Sequence, residues 1–298
     1  MTTSIALAQK FMPILDEIYK VASLTAGMDA PTKPIEFGGA NVVNVFKTSI
    51  VGLGTYSRAS GYPAGDVTGT WETLTLAASR GRAFSIDRMD KEETLGQAFG
   101  TVAGEFVRTG VVPEVDAYRF SKYASWSGIT EIGTPATLDT AAKVIAAFDV
   151  AMGQLDSDEV PPEGRKLYIS TVCYNLLKAS LSRTLGNEIT ADRRVKMLDT
   201  VEVIPVPQTR FYKGITLDAG GSSSAGGFAK TGSTGRDLNF LLLHPTAVLQ
   251  TTKLAAMKIF SPEENQTADA WLFQYRLYHD AFVYDNKVKG IYSHIKAS

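Results

Sequence analysis

Side chains able to break and make bonds are few in this chain, and they are scattered. It holds three histidines, His244, His279 and His294, and a single cysteine, Cys173. His244 ends the apolar run Phe240–Leu243 and precedes Pro245, which reads as a loop-edge histidine after a buried strand. His279 sits beside Asp280, but neighbours on a strand point to opposite faces, so they make no local orienting pair. Cys173 would be a nucleophile only with a base beside it. Val172, Leu176 and Leu177 recur around it at helical spacing, which reads as a core thiol. A hydrolase using Cys173 or one of the serines is the enzymatic reading. A phosphate loop would need Gly-Lys-Ser/Thr, and a zinc protease His-Glu-x-x-His; neither string occurs. Gly52-Leu-Gly54 lacks the third glycine of a dinucleotide fingerprint, and Asp156-Ser-Asp158-Glu159 lacks the glycine and distal glutamate of a calcium loop. One cysteine leaves no intrachain disulfide and no multi-cysteine zinc site, and it fits a reducing compartment. The expectation is a chain without catalytic residues, cofactor or metal.

Composition points to a folded, near-neutral protein. Of 298 residues, 44% are hydrophobic and 20% charged, the balance of an ordinary globular chain rather than a disordered one. Thirty basic against 31 acidic residues give a net charge of −1, so no overall field attracts nucleic acid. The longest stretch without Asp, Glu, Lys or Arg is Leu238–Thr252, too short and too broken by Pro245 to span a bilayer as a helix. The first positive side chain, Lys10, follows the apolar residues at the amino terminus, the reverse of a secretory leader.

The elements that position these residues follow from periodicity. Residues 4–24 carry Leu7, Phe11, Ile14, Leu15, Ile18 and Ala22 at helical spacing, with a kink or start near Pro13. Ala26–Gly39 reads as an extended linker. Asn41–Leu53 is rich in β-formers, Gly54–Gly69 is a loop, and Thr70–Ala77 alternates with period two, continued by Phe84–Asp87. Together these make a large hairpin that cannot bury both faces alone and needs a surface to lie on. Asp90, with Glu93 in the capping-box position, opens a helix with Leu95, Ala98, Phe99, Val102, Ala103, Phe106 and Val107 on one stripe. Gly96, Gly100 and Gly104 fall on another face, where a backbone could approach closely. Helical character restarts at Val112-Pro113 and runs toward Ser125. A further helix, Leu138–Leu155, turns Leu138, Ala141, Ala142, Ile145, Phe148, Met152 and Leu155 inward. Lys166–Ser170 is a short strand before the helix that carries Cys173. Thr200–Val206 is a strand that Pro205 and Pro207 confine to an edge. Six glycines and four serines make Asp218–Asp237 a mobile loop. Leu238–Leu243 reads as a buried strand, Lys253–Phe260 and the aromatic Ala268–Tyr284 as long strands, and Val288–His294 closes the chain.

This order, together with several local strings, resembles the major capsid proteins of tailed bacteriophages, with the Hong Kong 97-like coat fold. The strings are Gly-Leu-Gly-Thr-Tyr56-Ser-Arg58 with Gly61-Tyr62, Trp71-Glu-Thr-Leu74, Arg80-Gly-Arg82-Ala-Phe84-Ser-Ile-Asp87, Asp90-Lys-Glu-Glu93-Thr, Val112-Pro113-Glu114-Val-Asp116-Ala-Tyr118-Arg119, Asp280-Ala-Phe-Val-Tyr284 and Lys289-Gly-Ile-Tyr292. They are spread over nearly the whole length.

The resemblance implies an α+β fold with an amino-terminal arm (1–40), an extended hairpin loop (41–89), a peripheral domain with a spine helix (90–134), an axial domain (135–250) and return strands of the peripheral domain (251–298). It implies a non-enzymatic shell subunit forming pentamers and hexamers of an icosahedral capsid. That capsid would be assembled in the bacterial cytoplasm around double-stranded DNA without sequence-specific binding, with no membrane partner. An arm of about 40 residues leaves no room for a fused scaffold, so scaffold and portal are expected as separate chains. Some family members weld their subunits through a hairpin lysine, but residues 48–90 contain none, so the expected shell is non-covalent. Candidate intersubunit residues are Arg58, Tyr62, Trp71, Arg80, Arg82, Arg88, Gly96, Gly100 and Gly104, with the arginines pairing carboxylates across subunits. A cellular cargo-enclosing compartment shares this architecture. A tail-tube or surface-layer lattice is a further reading, and the spine helix disfavours the tube.

Overall fold

The computed structural model describes residues 23–28, 36–37, 41–59, 61–89, 103–180, 195–221 and 224–297. The expected arm helix up to residue 22, Asp90, Glu93, Gly96 and Gly100 lie outside them.

A central mixed sheet forms around β12 (Arg236–Leu243). Its strand order is β5 (Thr130–Glu131), β15 (Ile291–Ile295), β12, β6 (Lys166–Ser170), β8 (Val201–Val206) and β7 (Met197–Leu198), with β9 (Tyr212–Lys213) also on β12. All of Leu238–Leu243 is buried. Leu238, Leu241 and Leu243 pack with Phe120, Tyr123 and Phe211 on one face, and Phe240 and Leu242 pack with Phe148, Leu155 and Cys173 on the other. That is why this strand shows an unbroken apolar run where a half-buried strand would alternate. Pro205 of β8 lies past the two-residue β7, on exposed edge, as a residue without a ladder donor requires.

One face of this sheet carries α1 (Val112–Ser125), and the other carries α2 (Ala141–Ser157) and α3 (Thr171–Ser180). Helical chain enters α1 without a break, through a π-helical turn at Val107–Val111 in which the N–H of Val112 donates to the carbonyl of Val107. Pro113 has no N–H to give a carbonyl four residues back, and the widened turn accommodates it. On α2 the buried stripe is Val144, Phe148, Ala151 and Leu155. Ala142 and Ile145, expected inside, are exposed: the stripe is one residue out of phase with the sequence reading, because Phe148 and Leu155 fit both phases.

A second sheet orders β13 (Val248–Phe260), β14 (Ala270–Val283) and β4 (Ala78–Asp87). Its inner face, with Met257, Ile259, Phe273 and Leu277, packs on Ala103, Val107, Val111 and Val115. Phe84–Asp87 therefore does not continue the hairpin as expected: β4 pairs with β14 from Ala78↔His279 to Asp87↔Ala270. The hairpin proper is β2 (Val42–Ile50) with β3 (Val67–Thr75), edged by β1 (Glu36–Phe37).

Two further expectations are corrected. Ala26–Met28 is a 3-10 turn with Met28 in the core, not extended linker. The stretch 218–237, expected as a mobile loop, contributes to a two-stranded ribbon of β10 (Ile215–Asp218) and β11 (Gly227–Lys230) and holds the start of β12.

Candidate assembly surfaces

The hairpin divides into a buried root and an uncovered outer half. At the root, Val43, Leu74 and Leu76 pack with Leu249, Phe282 and Tyr284. Lys47 crosses to Glu72 and to Asp285 on the carboxyl-terminal segment, 2.7 Å from each. Burial disfavours the Lys47 charge, but the bonds to Asp285 and Glu72 outweigh it and raise its pKa. Where the hairpin meets β4, one carboxylate closes the joint. Asp280, 0% exposed, accepts from the backbone N–H of Ala77 at 2.7 Å, the Tyr118 hydroxyl at 2.9 Å and its own neighbour's N–H, Ala281, at 2.8 Å. Burial and the Asp280 charge push the Tyr118 phenol well above its ordinary value. Tyr118 thus stays protonated as the donor that holds α1 to this joint.

Beyond the root the hairpin covers no core cluster of the described residues. Among the described residues 14 large apolar side chains are exposed, and eight belong to it: Phe46, Ile50, Val51, Leu53, Tyr56, Tyr62, Val67 and Trp71. Two predicted contact residues are in this set. Trp71 is 56% exposed and touches only the cross-strand ring of Phe46 at 5.1 Å among aromatic neighbours. Tyr62 is 88% exposed and pairs with Tyr56 at 5.1 Å over the tip. Arg58 is exposed between them on the same tip.

The other predicted residues are placed differently. Arg80, expected to pair with a carboxylate across subunits, pairs with one of its own chain. Its Nε and Nη2 donate to Glu114 of α1 at 2.5 and 3.1 Å, and Nη2 also donates to the Gly227 carbonyl at 3.1 Å. The tether is tertiary, 34 residues away in sequence, and the local string carries no sign of it. Arg82 is exposed beside the glycine turn of the ribbon, and Arg88 is exposed at the end of β4. Gly104 is half-buried on the helix before α1.

Sequence reasoning missed the buried carboxylates. Asp116, also 0% exposed, accepts from Ser23 Oγ at 2.8 Å, Thr25 Oγ1 at 2.7 Å, the N–H groups of Leu24 and Thr25, and Arg210 at 3.2 Å. It docks the amino-terminal segment on α1. The available signals were an acid inside a helix with no polar face to spare and, for Asp280, one charge in the apolar run Tyr278–Tyr284.

Among the described residues no histidine reaches the cysteine directly, and the hydroxyl that His244 meets, Thr246 at 2.7 Å, belongs to its own turn. His279 is buried edge-on to Tyr118 with Nδ1 unpartnered, and burial, then the nearby Arg119 and Arg80, lower its pKa to about 3. His294 stacks on Phe240 and accepts at Nδ1 from Asn239 at 3.1 Å; burial lowers its pKa to about 4. Cys173 donates to Asn239 Oδ1 at 3.8 Å, so the amide stands between thiol and imidazole, and burial pushes the thiol pKa up. An amide relays no proton to a base, and a protonated thiol is no nucleophile. His244 caps the short turn after β12, as a loop-edge histidine does. Among the described residues no cluster of His, Cys, Asp or Glu fits a metal ion, and no helix is long and apolar enough to cross a membrane.

Solved structures share this arrangement. A Gordonia phage Cozz structure aligns over 93% of this chain and 87% of its own at 13% identity, with a TM-score of 0.60. The capsid of Cyanophage P-SCSP1u aligns over 88% and 85% at 14% identity, TM-score 0.59. The fold is the phage-capsid fold. A virus-like particle from Pyrococcus furiosus has the same capsid fold over 97% of this chain and 99% of its own, at 10% identity and a TM-score of 0.58. No family model and no curated protein matches the chain. The α+β architecture expected from the local strings is the one found.

Proposed function

We propose that this chain is the major capsid protein of a tailed bacteriophage, a non-enzymatic subunit that tiles an icosahedral shell of pentamers and hexamers around double-stranded DNA. The observation that carries the reading is the hairpin: a capsid fold whose exposed apolar side chains concentrate on one projecting element. Each such side chain, once covered by another copy, contributes about 1.5–3 kcal/mol. Nine strand residues on each arm reach about 30 Å, far enough to lie on a neighbour. Contacts of this head-to-tail kind close into shells when their rotation closes.

On this reading residues 1–40 are the arm and 135–250 the axial domain. Residues 90–134 and 251–298 build the peripheral domain, and the hairpin loop ends near 77 rather than 89 because β4 belongs to the peripheral sheet. Arg58, Tyr62, Trp71 and Arg88, with the glycine face Gly96–Gly100–Gly104, meet neighbouring subunits, and Arg82, which also lies against the glycine turn of its own chain, adds its exposed side. Scaffold and portal are separate proteins, assembly takes place in the host cytoplasm, and packaged DNA is held without sequence recognition. The shell is non-covalent, since 48–90 offers no lysine.

Electron microscopy of the purified protein tests this: closed shells of uniform diameter that fall to single chains in boiling detergent are expected. A monodisperse single chain at all concentrations, or a covalent ladder, would contradict it. A second reading, a cellular compartment enclosing protein cargo, has the near full-length match to the Pyrococcus particle behind it. Particles purified from their source distinguish the two by whether they hold nucleic acid or protein.

A further inference from the structure

The glycine turn of the β10–β11 ribbon lies against an arginine of β4. A Cβ on Gly220 would lie 2.6 Å from Arg82 Nη1, and one on Gly226 would lie 3.2 Å from the same atom. Both glycines have positive φ, +69° and +79°, so the backbone also demands glycine there. Asp218 organises the turn. It accepts from the Gly220 N–H at 2.9 Å and from the Ser224 hydroxyl, and the Gly226 N–H donates to Ser224 Oγ at 3.3 Å. Its pKa is lowered by the Ser224 and Gly220 bonds and then by the charges of Arg80 and Arg82. Next to the turn, Arg80 ties the Gly227 carbonyl to Glu114 on α1. At its other end the ribbon is held by Ser121 of α1, whose Oγ accepts from the N–H groups of Gly214 and Ile215. The turn thereby crosses a cleft of about 510 Å³ between β4 and α1, floored by Phe106, Val111, Val115 and Leu277.

From this we infer that the ribbon is a strap across that cleft, pinned to β4 by the Arg80 bonds and by the Arg82 guanidinium lying against the glycine turn, and that the Arg82 contact is its releasable pin. Arg80 is bidentate and half-buried, whereas Arg82 is exposed and lies against the turn with no ion pair to a described residue, so the second pin is the weaker one. β4 is the strand into which the hairpin runs, so a latched strap joins the ribbon to the hairpin's base as one body. The latch belongs to the single chain and does not depend on shell formation.

Amide hydrogen exchange on purified full-length chain tests it. Arg82→Ala and Arg82→Gln should each speed exchange at Gly220 and Gly226 at least threefold, with β13–β14 amides unchanged. Unchanged rates in both variants would overturn the latch. If Arg82→Ala also loosens β13–β14, the Arg82→Gln rates decide by the same criterion. Because the reading is per chain, it stands or falls whether or not particles form.

Discussion

The hairpin strand β2 and the central strand β12 are both apolar-rich, yet they meet opposite fates. In β12 six consecutive residues are buried from both sides, by α1 on one face and by α2 and α3 on the other. In β2 only Val43 is buried; Phe46 and Ile50 stand in solvent, as do Val67 and Trp71 on the paired strand. β12 has layers of its own chain above and below it. Among the described residues the hairpin has such a layer only at its root, where Leu249, Phe282 and Tyr284 end the packing. Apolar content alone therefore does not say where a strand ends up; the supply of covering elements does. A chain that leaves one long element uncovered, while its centre is packed on both sides, holds that element for another molecule.

The largest effects should come from breaking the packed region. Asp116→Ala strands the Leu24 and Thr25 N–H groups and removes the partner of Arg210, and should cost about 3–5 kcal/mol, read by denaturant unfolding. Leu241→Ala, between α1 and the sheet, should cost about 2–5 kcal/mol by the same measurement.

The converse holds on the exposed part of the hairpin. Trp71→Asp and Leu53→Asp should leave single-chain unfolding within about 0.5 kcal/mol of wild type while abolishing shells. A large loss of chain stability would mean that the hairpin packs on its own body.

Acid should act on the packed region as well. His279 is neutral in the fold, with a pKa near 3, against about 6.5 unfolded. Below pH 6.5 the unfolded chain binds the extra proton, so this contribution is complete above 6.5 and is lost as pH falls toward 3. By pH 5 the loss is about 2 kcal/mol, and His279→Gln should flatten the slope of stability against pH. The smallest effect is at the hairpin root. Lys47→Ala removes a partly exposed ion pair of about 0–1 kcal/mol and should show mainly as faster amide exchange at the β2–β3 root.

Much of the contrast was legible in the sequence. The run Leu238–Leu243, the helix ending at Ser125 and the glycine–proline tip of the hairpin are local patterns, and local patterns survive folding. What could not be read depends on partners far along the chain. β4 shows the same alternation whether it continues the hairpin or, as it does, joins β14 nearly 200 residues later. Arg80 looked like a surface charge because Glu114 comes near only when β4 lies against α1. The α2 stripe was misphased because Ile145 and Val144 are equally apolar and only the sheet beneath chooses between them. Asp116 and Asp280 stand in local strings that do not show their roles, which come from backbone groups that other elements bring to them.

The claim beneath all of this is that sister copies cover the hairpin. It is tested most directly by covalent labelling of Tyr56, Tyr62 and Trp71 in assembled particles and in the same protein dissociated to single chains. The account predicts that all three react readily in single chains and are strongly protected in particles, while residues of the buried root react in neither. Equal reactivity of the three in both states would contradict it.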